Sequence, residues 1–278
     1  MAKVIIVTNF SEASRNALDY TCHFLNNPNT SVLLLNIFAW PGSFTGDPIA
    51  IAAMSETIMN DERRLQEEYQ WVKEHHPQIN IRSEMATGVF LEELRARAIA
   101  GETAFIVMGT HGKYSELFSW DAYIIDAFVD LNTPVMIIPL GIQFKPLQKI
   151  AFALNYYRPN LKVPVSMIRR IINFTKASLY VINVVSPAEV ITPEAEERKV
   201  MLKAGLQDIN PAYYEPAFEN VITAIDNFTA AEGIDMLIVI PSRHGLWYNI
   251  FQRSNTRGLV YLNHVPILSL HREGDFLE

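Results

Sequence analysis

Short apolar runs alternate along this chain with longer stretches in which apolar residues recur every three or four positions. The first run, Val4 to Val7, predicts a strand. Ser11 follows as an N-cap, and Ala17, Leu18, Cys22 and Leu25 recur at helical spacing until Asn27-Pro28 stops the pattern. Val32 to Phe38 predicts a second strand. After a Pro- and Gly-containing loop from Trp40 to Pro48, Ser55 opens a long helix with Ile58, Leu65, Tyr69 and Val72 on one face, ending before Pro77. Ile79 to Met85 and Phe105 to Met108 read as the third and fourth strands, with a helix from Phe90 to Ala100 between them. A helix carrying Ile124, Ala127, Phe128 and Leu131 and a strand from Val135 to Ile138 complete five strands and four helices in about 140 residues.

The pattern then starts again. Lys3-Val-Ile-Ile-Val-Thr-Asn-Phe10 aligns with Lys149-Ile-Ala-Phe-Ala-Leu-Asn-Tyr156, and Ser31 to Ile37 with Ser178 to Val184, at offsets of 146 and 147. Ile106 to Val135 matches Ile238 to Ile267 without a gap, at an offset of 132. The second copy is therefore shorter in its middle. Its second helix shrinks to about Glu194 to Ala204, and its third strand to the neighbourhood of Tyr213 to Pro216. Pro139 to Gln148 carries Gly and Pro without helical periodicity and reads as a linker, so the expected domains are 1–141 and 147–278. Strands alternating with helices in this way predict an α/β protein with parallel sheets.

Composition narrows the function classes. With 278 residues, 49% hydrophobic and 19% charged, the chain is long and apolar enough for a packed globular protein and excludes disordered and fibrous classes. Asp and Glu outnumber Lys and Arg by 30 to 23, a net charge of −7, which argues against nucleic acid as the main partner. No apolar run approaches the roughly 20 residues of a membrane span, and four apolar residues at Val4 to Val7 fall short of a signal peptide's core. The expectation is a soluble cytoplasmic protein without a membrane partner. The single cysteine, Cys22, lies on an apolar helix face and reads as a buried, inert thiol.

Ligands of doubly wound sheets bind beyond the carboxyl ends of the strands. Here that edge carries Thr8-Asn9-Phe10-Ser11, Ile37 to Trp40 and Met108-Gly109-Thr110-His111-Gly112. The last is strand, glycines, then helix, a setting in which backbone N–H groups can cradle an anion, although two glycines after a strand are more often simple turn residues than a phosphate site. The opening Val7-Thr-Asn-Phe-Ser-Glu-Ala-Ser-Arg-Asn-Ala-Leu18 and the stretch Ile106 to Gly112 resemble the universal stress protein family, in two tandem copies covering Lys3 to Pro139 and, more faintly, Lys149 to Leu270. The resemblance implies two tandem Rossmann-like domains of the adenine nucleotide alpha hydrolase-like type, each a five-stranded parallel sheet of order 3-2-1-4-5 with helices on both faces. It also implies pairing of the copies as a pseudo-dimer, expected through Val135 to Ile138 and Ile267 to Leu270, and in one branch ATP binding marked by G-x2-G-x9-G-[ST].

Gly109 and Gly112 match that mark, but Ala122-Tyr123 stands where Gly-[ST] is expected, and the family's first-strand Asp is Asn9. Thr8, Ile37 and Met108 keep the character expected around adenine. The resemblance thus implies Thr8, Asn9, Ile37, Met108, Gly109 and Gly112 as binding residues for ATP, AMP or another adenine nucleotide, with nucleoside contacts better kept than phosphate contacts. In the second copy Pro241 and His244 replace the two glycines, and Pro has no N–H to offer, so no nucleotide is expected there. Ser254-Asn255 takes the Gly-[ST] place, flanked by the basic Arg243, Arg253 and Arg257.

No H-E-x-x-H, G-x-S-x-G or Walker loop occurs, and His75-His76 cannot put both rings on one face, so neither a catalytic set nor a metal site is expected. The reading is a stress-response binder rather than an enzyme. Its rival is an interaction or scaffold module acting through an unknown protein partner, and further homo-oligomer formation is open.

Overall fold

A computed structural model describes residues 3–25, 30–39, 48–99, 103–111, 120–156, 163–183, 192–215, 221–241 and 262–271. The chain divides into two compact units with the main break between Phe144 and Lys145, Phe128–Pro134 grouping with the second.

The first unit runs β1 (Lys3–Val7), α1 (Glu12–Leu25), β2 (Ser31–Ala39), α2 (Pro48–His75), β3 (Asn80–Gly88), α3 (Phe90–Ile99), β4 (Thr103–Thr110), α4 (Trp120–Asp130) and β5 (Val135–Pro139). All neighbouring strands are parallel, in the order β3-β2-β1-β4-β5. β1 and β5 are buried along their whole length, the continuous apolar pattern of a strand covered on both faces. α1 packs on β4 and β5, α2 on β2 and β3, and α3 on β2, β3 and β4. With right-handed crossovers, the reversal of strand order at β1 puts α1 and α2 on one face and α3 and α4 on the other.

Ser11 caps α1 as its sequence predicts: its hydroxyl accepts from Ser14 N–H at 3.2 Å and its carbonyl from Arg15 N–H at 3.0 Å. α2 begins at Pro48, seven residues before Ser55, with Pro at the first helical position where its missing N–H costs nothing. Ile49 and Ile51 in this added stretch are exposed. β4 extends past Met108 through Gly109 and Thr110, which pair with Ile138 and Pro139 of β5.

The second unit comprises β6 (Lys149–Leu154), α5 (Val165–Thr175), β7 (Ser178–Asn183), α6 (Pro193–Leu206), a 3-10 turn (Gln207–Ile209), β8 (Ala212–Tyr214), α7 (Val221–Glu232), β9 (Met236–Val239) and β10 (Ile267–Ser269). Its strands are parallel in the order β8-β7-β6-β9-β10, the same winding as the first unit.

The repeat extends to individual side chains. Lys3 Nζ donates to the Arg97 carbonyl in the last turn of α3 at 2.9 Å, and Lys149 Nζ to the Glu232 carbonyl at the end of α7 at 2.8 Å, each a cation at a helix C-terminus. Asn36 on β2 and Asn183 on β7 both bridge to the end of the unit's first strand, with opposite ends of the amide. Asn36 Nδ2 donates to the Thr8 carbonyl at 2.9 Å, whereas Asn183 Oδ1 accepts from Tyr156 N–H at 3.0 Å. Thr8 explains the difference, since its hydroxyl already accepts the Phe10 N–H at 3.0 Å. Leu154 at the matching position has no such oxygen, and the asparagine takes over. No helix among the described residues is long and apolar enough to cross a membrane.

Candidate functional site

Register alone brings most of the predicted site residues together. Val7 pairs with Leu35 on one side and Met108 on the other, so Thr8, Asn36, Ile37 and Gly109 lie at the carboxyl edge of adjacent strands, at the switch in strand order. Thr8 and Met108 are fully buried and Ile37 is 8% exposed. Thr8 Oγ1 is 3.2 Å from Ser14 Oγ and also reaches the Glu68 carboxyl. Asn9 is half-buried, and its Oδ1 accepts from Ser11 Oγ at 2.6 Å and Ser11 N–H at 3.2 Å. This closes an Asx turn in which Phe10 adopts φ 63°, a conformation rare for a bulky residue and concentrated at functional turns. Arg64 holds it there by donating to the Phe10 carbonyl at 3.1 Å, with its guanidinium 4.5 Å from the Phe10 ring centroid.

Gly109 lies within β4 rather than in a turn, directly against the first turn of α1. A β-carbon at this position would overlap the Ala13 carbonyl and come 2.8 Å from Ser14 N. Gly112 lies outside the described residues, as do Arg243, His244, Arg253, Ser254, Asn255 and Arg257; Pro241 is buried just beyond β9. His111 is exposed at the end of β4.

The place of the family's Gly-[ST] is the first turn of α4. Ala122 is exposed there, while the Tyr123 ring stacks on Phe90, 4.3 Å between centroids. Trp120 meets the same Phe90 edge-on at 5.7 Å and donates its indole N–H to the Gly109 carbonyl at 2.8 Å. Between them Asp121 is 7% exposed and accepts the Thr110 hydroxyl at 3.1 Å. Burial pushes its carboxyl above the ordinary range, against the lowering pull of Thr110 and His111. A carboxyl group thus sits where the helix dipole would favour a phosphate.

Beside this edge lies a cleft of about 530 Å³ lined by Phe10, Ser11, Glu12, Arg15, Arg64, Glu67, Glu68 and Trp71. Arg15 of α1 crosses over the Trp71 ring of α2 at 3.8 Å. Glu68 is 7% exposed with Oε2 unpartnered, and burial raises its carboxyl although Thr8, Arg15 and Arg64 pull the other way. Sequence reading missed this cleft. Its one visible signal was the spacing of Arg64, Glu68 and Trp71, four and three residues apart on one helix face.

No family model matches the chain, and no curated protein matches it in sequence. Solved structures do match. A universal stress protein from Archaeoglobus fulgidus superposes with a TM-score of 0.68 over 98% of this chain and 97% of its own, at 15% identity. A protein of unknown function from Pseudomonas aeruginosa superposes with a TM-score of 0.53 over 98% of this chain and 93% of its own, at 12% identity. The chain has the tandem universal stress protein fold, two Rossmann-like halves in one polypeptide.

Proposed function

We propose that the chain is a binding protein rather than a catalyst, and that its first unit takes an adenine nucleoside or mononucleotide through Thr8, Asn9, Ile37, Met108, Gly109 and Gly112, with little hold on further phosphates. A stress-response role accompanies this reading. The observation that carries it is Asp121: a buried carboxyl that accepts the Thr110 hydroxyl already fills the first turn of α4, the place a triphosphate would need for its own hydrogen bonds. At the strand edge, in contrast, Thr8, Ile37, Met108 and the glycine at 109 are kept, with Asn9 in place of the expected Asp. In the second unit Pro241 removes the matching backbone N–H, and no ligand is proposed there.

Isothermal titration of the full chain with adenosine, AMP and ATP tests this. Binding of adenosine and AMP with ATP no tighter supports it. Absence of binding by all three at millimolar ligand, or ATP more than about tenfold tighter than adenosine, overturns it. The first of those outcomes leaves a second reading, a partner-binding module with a closed pocket, which the full burial of Thr8 and Met108 favours.

A further inference from the structure

Away from the strand edge, α1 and the end of α2 bring together three side chains of metal-ligating type: Asp19, His23 and His76. Asp19 and His23 stand one helical turn apart on α1 and share a face. His76 follows the last residue of α2, with its N–H donating to the Val72 carbonyl at 2.8 Å and its carbonyl accepting from Ile79 at 3.0 Å. Its ring is buried at 5% exposure and packs edge-on against Trp71, 5.4 Å between centroids. A search for histidines adjacent in sequence misses this grouping, because Asp19 and His76 are 57 residues apart.

Zinc bonds to nitrogen and oxygen of 2.0–2.1 Å in a tetrahedron put the ligand atoms about 3.3 Å apart. His76 Nε2 and Asp19 Oδ1 are already at 3.1 Å, His23 Nδ1 is 3.8 Å from the same oxygen, and all three donor atoms lie within 4.8 Å of one another. Only His23 has to close in; its side chain is half exposed, and its ring already meets the His76 ring edge-on at 4.7 Å between centroids. Two imidazoles with one carboxylate suit a borderline cation such as Zn²⁺, whereas Mg²⁺ and Ca²⁺ select oxygen ligands.

We propose that Asp19, His23 and His76 form a zinc-class divalent cation site that clips α1 to the end of α2, with its fourth position open to water or a ligand on the exposed His23 side. The buried His76 and the half-exposed Asp19 are preorganised by their mutual hydrogen bond, and the exposed His23 completes the set. Trp71, which touches His76 and also underlies Arg15 in the neighbouring cleft, reports occupancy.

The full chain, stripped with EDTA, is titrated with Zn²⁺ by calorimetry, and with Co²⁺ by visible absorption and tryptophan emission. The expected result is one Zn²⁺ per chain, Co²⁺ quenching that a Trp71→Phe change reduces without altering the zinc heat, and affinity lowered at least about tenfold by His23→Ala and by Asp19→Asn. The neighbouring His75→Ala leaves affinity unchanged. Because His23 is exposed, its variant keeps the fold, which far-ultraviolet circular dichroism verifies. Failure of the wild-type chain to take up zinc at micromolar concentration overturns the site, as does a His23→Ala chain that binds as tightly as wild type. Equal weakening by His75→Ala and His23→Ala assigns the metal to an adventitious surface histidine pair and overturns it as well.

Discussion

Gly109 packs so closely beneath Ala13 that a β-carbon on it would overlap the Ala13 carbonyl and reach within 2.8 Å of Ser14 N. Both obstacles are backbone, and the α1 backbone is fixed by the Ser11 cap, so neither can give way cheaply. The glycine therefore has a packing role whether or not it also faces a ligand. Gly109→Ala is expected to cost about 3 kcal/mol, the upper end of overpacking penalties, read as a lowered urea midpoint at unchanged slope.

Glu68 carries a desolvation burden of opposite sign to that of most surface acids. Its folded value is raised above the ordinary 4.5, so its ionisation opposes folding, and the loss of stability grows as pH rises from about 4.5 upward. Glu68→Gln removes the charge while keeping a group able to bond Thr8. The variant is expected to be more stable than wild type by about 1 kcal/mol at pH 7 and equal to it near pH 4, measured by thermal unfolding at both pH values.

Asp235 works in the other direction. It is buried beside the start of the second unit, and burial alone would raise its carboxyl, but Lys145 Nζ at 2.7 Å and the N–H groups of Gln148 and Lys149 at 2.8 and 2.9 Å outweigh that and hold it below the ordinary 3.8. Its stabilisation is fully present above pH 4 and disappears as pH falls through the folded value. Asp235→Ala is expected to cost about 3 kcal/mol at pH 7, where three donors lose their acceptor, and much less at pH 2.5. Urea unfolding of both proteins at the two pH values checks this.

The lone thiol gives a simpler test. Cys22 is fully buried, and burial pushes its thiol up to about 12, with Asp19 adding to the rise and Arg15 opposing it. At pH 8 a thiol-specific reagent is expected to leave the native chain unmodified and to react with one thiol per chain in 8 M urea. Rapid reaction of the native chain contradicts the burial.

Strands were the most legible part of this molecule, because parallel strands covered on both faces are unbroken apolar runs, and β1, β2 and β5 carry them plainly. The repeat was legible because equivalent places keep the same residue types: Lys3 and Lys149 make the same hydrogen bond to a helix end, and Asn36 and Asn183 both reach the end of the first strand of their unit, though with opposite ends of the amide. Periodicity fails where a helix has no buried face. The first turns of α2 expose Ile49 and Ile51, and only the proline at 48 signals the true start. A glycine likewise reads as a turn unless its neighbours in space are known, which is why Gly109 belongs to β4 although the residue type suggests a loop. The strand-edge residues could be named because they lie in contiguous stretches. The Arg15, Arg64, Glu68 and Trp71 cleft and the Asp19, His23 and His76 group could not, since α1 and α2 bring each together from distant positions in the chain.

Where adenosine sits decides whether the first unit is a nucleoside-binding domain. In a crystal structure of the full chain soaked with adenosine, the base is expected between Asn9, Ile37 and Gly109 at the carboxyl edge of β1, β2 and β4, with the first turn of α4 free of it. Adenosine seated instead in the cleft between Arg15 and Arg64, against Trp71, contradicts nucleoside binding at the strand edge.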